Sequence, residues 1–208
     1  MFSRSKRLFG KKKRWGWKEG LVIVGAAQAA SWLLLEATRE VRGRFSGKAT
    51  NPPRQSVRDF YDDQRLPGFA PPPWLFGPAW TVNNILAVAG LIHVVNLPRR
   101  RKGRSAYIRL QTASWVDFAI YSAASFGLRS NLNGAVLTNL YLGMTLASLN
   151  EARRMREPIA ALTLSTLTAW LCLASALSVS IFLRNGDELY GIPAPKVKRR
   201  FRVVENAS

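Results

Sequence analysis

From Pro158 to Leu183 the chain reads PIAALTLSTLTAWLCLASALSVSIFL, without one Asp, Glu, Lys or Arg. As a helix, that run is roughly 39 Å long, more than the roughly 30 Å of bilayer hydrocarbon. A soluble helix turns one face to water and carries charge there, so a charge-free run of this length argues against a soluble bundle. A second run, LFGPAWTVNNILAVAGLIHVVNL, extends uncharged from Leu75 to Leu97. Two such segments already commit the fold to lipid.

Three further gaps between charge clusters resemble these two. They are residues 20–36, residues 105–128 with Arg109 and Asp117 inside, and residues 132–150. The expected fold is therefore all-α, a five-helix transmembrane bundle with spans at about 20–36, 75–97, 105–128, 132–150 and 158–183. The membrane domain covers 20–185, with a long loop at 37–74, a basic tail at 1–19 and a second basic tail at 186–208. A mean hydropathy of −0.04 hides this order, because charges and apolar residues alternate in blocks. The first apolar stretch follows a basic segment, as a signal peptide does, but it lacks a small-x-small cleavage site. With four more spans after it, a retained helix is the expectation.

The net charge of +19 and pI near 11.3 would ordinarily point to nucleic acid. Here the cations flank hydrophobic spans, where they meet lipid headgroups, so membrane lipids and no nucleic acid are the expected partners. The second and fourth loops, with Arg109, hold nine Lys and Arg against one in the third. The positive-inside rule then sets the N-terminus of this multi-pass protein in the cytoplasm and the C-terminus across the membrane. The one cysteine, Cys172, and the one histidine, His93, give no basis for a disulfide or a metal cluster. No phosphate loop and no Gly-x-Ser-x-Gly elbow occurs. Asp117, an acid at membrane depth, is by default a functional candidate, with Arg109, eight residues back, expected roughly on the same helix face.

The segment FYDDQRLPGFAPPPWLFGPAW, residues 60–80, joins the first two spans. Prolines 71 to 73 mark the entry into a helix, since each lacks a backbone donor. The order Phe60, Tyr61, Pro67, Phe69, Pro71, Pro72, Trp74, Phe76, Gly77, Pro78 and Trp80 resembles, without a gap, the same region of the TspO/MBR family, the tryptophan-rich sensory proteins. A second patch is similar too: WLCLASALSVSIFLRN places Trp170, Ala174, Leu177 and Asn185 at family positions. Ser178 and Asn84 depart from the family pattern, as do the residues around Phe118 to Ser122, so the chain reads as a divergent member.

The resemblance implies a tight bundle, a homodimer, that binds porphyrin-like tetrapyrroles or other flat hydrophobic small molecules beneath the first loop as a receptor or sensor. It implies ligand contacts at Phe60, Tyr61, Phe69, Phe76, Trp80, Trp170, Ala174 and Leu177, with porphyrin as ligand and no cofactor required. Binding comes before catalysis in this reading. One alternative is light-dependent porphyrin breakdown, which some family members are linked to, with Trp80 and Trp170 as its candidate residues. Another is transport of small hydrophobic or anionic compounds. Trp74, at the helix boundary, is expected to act mainly as an interfacial anchor, and Ala174 and Leu177 also suit close helix packing.

Overall fold

The computed structural model describes residues 14–45 and 57–195. Its helices are α1 (Trp17–Phe45), α2 (Val57–Asp62), α3 (Phe76–Asn96), α4 (Arg104–Ser122), α5 (Asn131–Arg154) and α6 (Pro158–Asn185). Local chemistry places most of the ends. The proline run finishes in a single 3₁₀ turn, Pro73–Leu75, which feeds directly into α3. Pro158 opens α6 at a position where a missing N–H costs no hydrogen bond. Ser130 caps α5, its hydroxyl accepting the Asn133 N–H at 3.0 Å. Gly103 and Gly186 take positive φ, 87° and 70°, at the start of α4 and the end of α6.

Five long helices pack into one bundle. Helix α5 lies between α4 and α6, α3 packs on α6, and α1 packs on α4. The interior holds Val88, Val94, Tyr107, Leu164, Leu167 and Leu171, all nearly inaccessible. Gly90 lets α3 approach α6: a Cβ there would strike the Thr163 hydroxyl and come 3.1 Å from the Tyr107 hydroxyl. The outside is apolar as well, with Leu162 74% and Val22 69% exposed. Apolar residues on both sides suit a helix whose outer solvent is lipid. Among the described residues, three segments are long and apolar enough to cross a membrane: Trp17–Arg42, Pro73–Asn96 and Pro158–Asn185. Helices α4 and α5 are long but more polar, and six of their polar residues turn inward: Gln111, Ser114, Asp117, Thr138, Thr145 and Ser148 are buried.

Several boundaries differ from the sequence reading. Helix α1 runs on to Phe45 rather than stopping near 36, because Glu36 and Arg39 pair at 2.9 Å along its surface and no proline intervenes. The expected loop at 37–74 therefore begins as helix and contains α2. Helix α4 ends at Ser122 in a wider π turn, Ala123–Gly127, where Leu128 N–H reaches back to the Ala123 carbonyl at 3.0 Å. Helix α5 continues to Arg154, since Glu151, Arg153 and Arg154 are good helix formers. Residues 186–195, expected as part of a basic tail, form a tight turn closed by an Asp187–Ile192 bridge. Residues 1–13 and 196–208 of the two tails, and 46–56 of the loop, lie outside the described residues.

The two ends of the bundle differ in charge. Arg99, Arg100, Arg101, Lys102, Arg104, Arg153, Arg154 and Arg156 cluster where α3 and α5 end and α4 and α6 begin. The start of α1 joins them, held by Trp15 N–H to Asn96 Oδ1 at 2.8 Å. At this basic end His93 Nε2 meets Glu157 Oε2 at 2.9 Å, and Arg101 reaches the other Glu157 oxygen at 3.1 Å. The opposite end carries α2, the proline segment and the Asp187 turn.

Candidate functional site

Near that opposite end, a cavity of about 670 Å³ opens among α1, α3, α4, α5 and α6, with α2 and the proline segment over it. The two tryptophans picked out by the sequence pattern meet at its wall: Trp80 and Trp170 lie edge to face with centroids 6.4 Å apart. Phe76 packs edge-on against Trp170 at 5.5 Å, and Tyr61 against Phe76 at 5.4 Å. On the other side Trp80 stacks on Tyr141 at 6.1 Å and 12°, and meets Phe118 at 5.7 Å. A continuous line of rings thus runs from α2 in the loop to the middle of α5. Such T-shaped and stacked pairs hold one another's orientation, so the wall is set before any ligand arrives.

Of the eight residues expected at the site, seven line the cavity: Phe60, Tyr61, Phe76, Trp80, Trp170, Ala174 and Leu177. Phe69 does not; it is 49% exposed and off the wall. Its spacing matched a pattern in sequence, but the turn at 66–70 faces it outward. Trp74 touches the cavity rim yet is 71% exposed. His93 lies at the basic end, away from the wall. Arg109 and Asp117 do not share a face: Arg109 is exposed and Asp117 buried. Eight residues of helix turn through about 80° beyond two full turns, enough to separate them.

Most of the wall comes from residues that the sequence pattern did not mark. Phe118, Tyr121 and Tyr141 come from α4 and α5, and Gln28 and Ser31 from α1. One signal was available. In α5, Thr138, Tyr141, Thr145 and Ser148 recur at steps of three and four, which draws a polar stripe down an otherwise apolar helix.

The wall is uncharged. Among the described residues that line it there is no Asp, Glu, Lys or Arg. Its polar groups are hydroxyls and amides, together with the Trp170 indole N–H, which is buried with no hydrogen-bond partner. The loop above is tied down at both sides. Asn185 Oδ1 accepts the Arg65 N–H at 2.8 Å, while its amide donates to the Ile181 carbonyl at 2.8 Å. Asn131 donates to Gln64 Oε1 and to the Gly186 carbonyl, each at 3.0 Å. The Tyr61 hydroxyl donates to the Pro71 carbonyl at 3.3 Å. Burial, and secondarily the Asp62 charge, raise the Tyr61 pKa, so that donor proton is held.

A tryptophan-walled cavity beneath a proline-rich loop, inside five packed helices, is the arrangement that the motif at 60–80 implied. The family model of the TspO/MBR family matches residues 22–184. The chain belongs to the TspO/MBR family. Among its relatives, the tryptophan-rich protein TspO of Archaeoglobus fulgidus is 28% identical over 145 residues, covering 63% of this chain and 83% of that protein. The tryptophan-rich protein TspO of Chlorobaculum tepidum is 29% identical over 142 residues, covering 68% and 87%. As a TspO/MBR protein with three long apolar helices, it is an integral membrane protein of a sensor-like family. Asn185, which ties down the loop of this TspO/MBR chain, is one of the residues that carried the resemblance.

Proposed function

We propose that the protein is a five-crossing membrane receptor or sensor whose cavity takes flat hydrophobic ligands of the tetrapyrrole class. The observation that carries this reading is the uncharged aromatic wall built around the perpendicular pair Trp80 and Trp170. One indole offers a face and the other an edge, which together fit a rigid planar ligand. The volume falls within the range of small-molecule sites. The proline-rich segment over the cavity has little conformational freedom to lose when a ligand seats, which favours affinity. A tetrapyrrole's carboxylates would be driven from such a wall toward the loop end, where Arg65 and Arg129 lie.

The test is a titration of the purified protein in detergent with protoporphyrin, following tryptophan fluorescence. Saturable quenching with a defined stoichiometry supports the reading. Quenching that grows linearly with porphyrin, as for partition into micelles, would overturn it. A second reading, light-dependent porphyrin breakdown, is favoured by one observation: both indoles of the pair face the same cavity, edge to face.

A further inference from the structure

Helices α4 and α5 run antiparallel, and three contacts set their register. Gln111 Nε2 donates to Ser148 Oγ at 3.0 Å. The Tyr121 and Thr138 side chains come together on the cavity wall. Ser125 Oγ sits 2.8 Å from where a Gly134 Cβ would be. Each step along α4 is matched by an equal step back along α5, so Ser114 comes opposite Thr145 and Phe118 opposite Tyr141. The seam between the two helices is polar along most of its length, and Asp117 lies on it.

Asp117 is only 4% exposed, and neither carboxylate oxygen has a hydrogen-bond partner. Ser114 Oγ and Thr145 Oγ1 on the same seam are also buried without partners. An ionised carboxylate at such a place gives up its water and receives no donor in exchange, which is among the most unfavourable arrangements a bundle can hold. Among the described residues no cation offsets it. Helix α1 has no ionisable side chain from Gly20 to Leu35, α3 has only His93 at its far end, and the π turn has none. From α5 the one titratable group nearby is Tyr141, and on α4 it is Tyr121, both within electrostatic reach of Asp117. Arg109 is exposed on another face.

We propose that Asp117 is a proton-binding site inside the bundle, and that its protonation is transmitted to the cavity wall through Phe118 and Tyr141. The proton comes from water and returns to water; no other bond forms or breaks. Protonation removes a charge that the site neither solvates nor pairs. Transmission is short. Phe118, the next residue, packs on Trp80 at 5.7 Å, and Tyr141 stacks on Trp80 at 6.1 Å. A charge appearing or vanishing at Asp117 therefore changes the field on a residue of the cavity wall without any ligand present.

The experiment uses the full chain in lipid nanodiscs with no ligand, as wild type, Asp117→Asn and Trp80→Phe. Infrared spectra are recorded above about pH 6, where exposed carboxyls are ionised, and tryptophan emission is followed through the same titration. The expected result is a carbonyl-stretch band of a protonated carboxylic acid in wild type and Trp80→Phe that is missing from Asp117→Asn. An emission change with one-proton pH dependence should accompany it in wild type alone. A wild-type spectrum with no such band would overturn the proton site, whatever the variants do. The band surviving in Asp117→Asn would overturn it as well. An emission change that persists in Trp80→Phe would overturn the route to the cavity.

Discussion

Trp80 on α3 and Trp170 on α6 meet edge to face, with ring centroids 6.4 Å apart and planes at 82°. Two helices that are not neighbours in sequence thus place their indoles on one cavity wall, and each is braced by a further aromatic, Tyr141 behind Trp80 and Phe76 beside Trp170. If the pair also does photochemistry, protoporphyrin incubated with the protein in light should give a product that is missing in the dark and missing with Trp170→Phe. Binding with no product under illumination would leave the receptor reading alone.

Asn185 is the tie between α6 and the loop over the cavity. Its side chain holds both the N–H and the carbonyl of Arg65, at 2.8 and 3.5 Å, while anchored to its own helix. Asn185→Ala should free that corner of the loop, at a cost of about 1 kcal/mol for the lost hydrogen bonding. The expected outcome is faster ligand dissociation, by roughly fivefold, with little change in melting temperature. Stopped-flow displacement of bound porphyrin measures it, and an unchanged off-rate would show that Asn185 does not restrain the loop.

Asp187 fastens the turn after α6 to the start of α5. Burial works against its charge, but the Leu132 N–H, the Ser130 hydroxyl and the N–H groups of Tyr190 and Leu189 outweigh that and hold its pKa below the ordinary value. A depressed folded-state pKa stabilises the protein above the unfolded-state value, near pH 4, and the benefit disappears as pH falls through the folded value. Asp187→Asn should therefore melt at lower temperature than wild type at neutral pH, by about 2 kcal/mol of stability. The gap should narrow and close as pH falls below the ordinary carboxylate range and through the depressed folded-state value. Thermal unfolding in detergent across that range checks both the size and the direction.

Gly90 tests the close approach of α3 to α6. Gly90→Ala puts a methyl against the Thr163 hydroxyl and near Tyr107, so it should destabilise by about 1–3 kcal/mol despite alanine's better helix propensity. Gly25, with open space where its Cβ would be, is the control, and Gly25→Ala should be neutral or stabilising. Equal melting temperatures for the two variants would contradict the packing.

The parts of this fold that were legible in the sequence are those written in charge and proline. Helices α3 and α6 begin and end within two residues of their uncharged runs, because Pro73 and Pro158 mark the starts and charged or turn residues follow the ends. Where a helix continues into charged residues, as α1 does past Glu36 and α5 past Asn150, apolar counting stops short, since Glu and Arg are good helix formers. The π turn after Ser122 left no mark in composition. At the cavity, residues of the two motif patches were readable and the stripe of α5 pointed to Tyr141, but Phe118 and Tyr121 reach the wall through the register of α4 on α5, which no local pattern encodes. Phe69 shows the converse, a motif position that the backbone turns toward solvent.

Orientation follows from the two unlike ends. With Arg99 to Lys102 and Arg153 to Arg156 gathered at the end where α1 starts, the N-terminus should face the cytoplasm and the loop over the cavity the other side. Fusion reporters at the two termini check this: a reporter active in the cytoplasm should work at the N-terminus, and activity at the C-terminus alone would reverse the assignment.

The central claim, that the indole pair forms the ligand wall while Trp74 anchors the loop, is tested most directly by porphyrin affinity in three single variants. Trp80 and Trp170 lie within the aromatic line, whereas Trp74 is 71% exposed at the rim. Truncating a stacked aromatic in a desolvated site costs on the order of 2 kcal/mol, roughly thirtyfold in Kd, and an exposed anchor far less. Trp80→Ala and Trp170→Ala, each monodisperse in detergent, should therefore bind protoporphyrin roughly thirtyfold more weakly than wild type, and Trp74→Ala within about threefold of it. Folded Trp80→Ala and Trp170→Ala that bind like wild type would contradict the account.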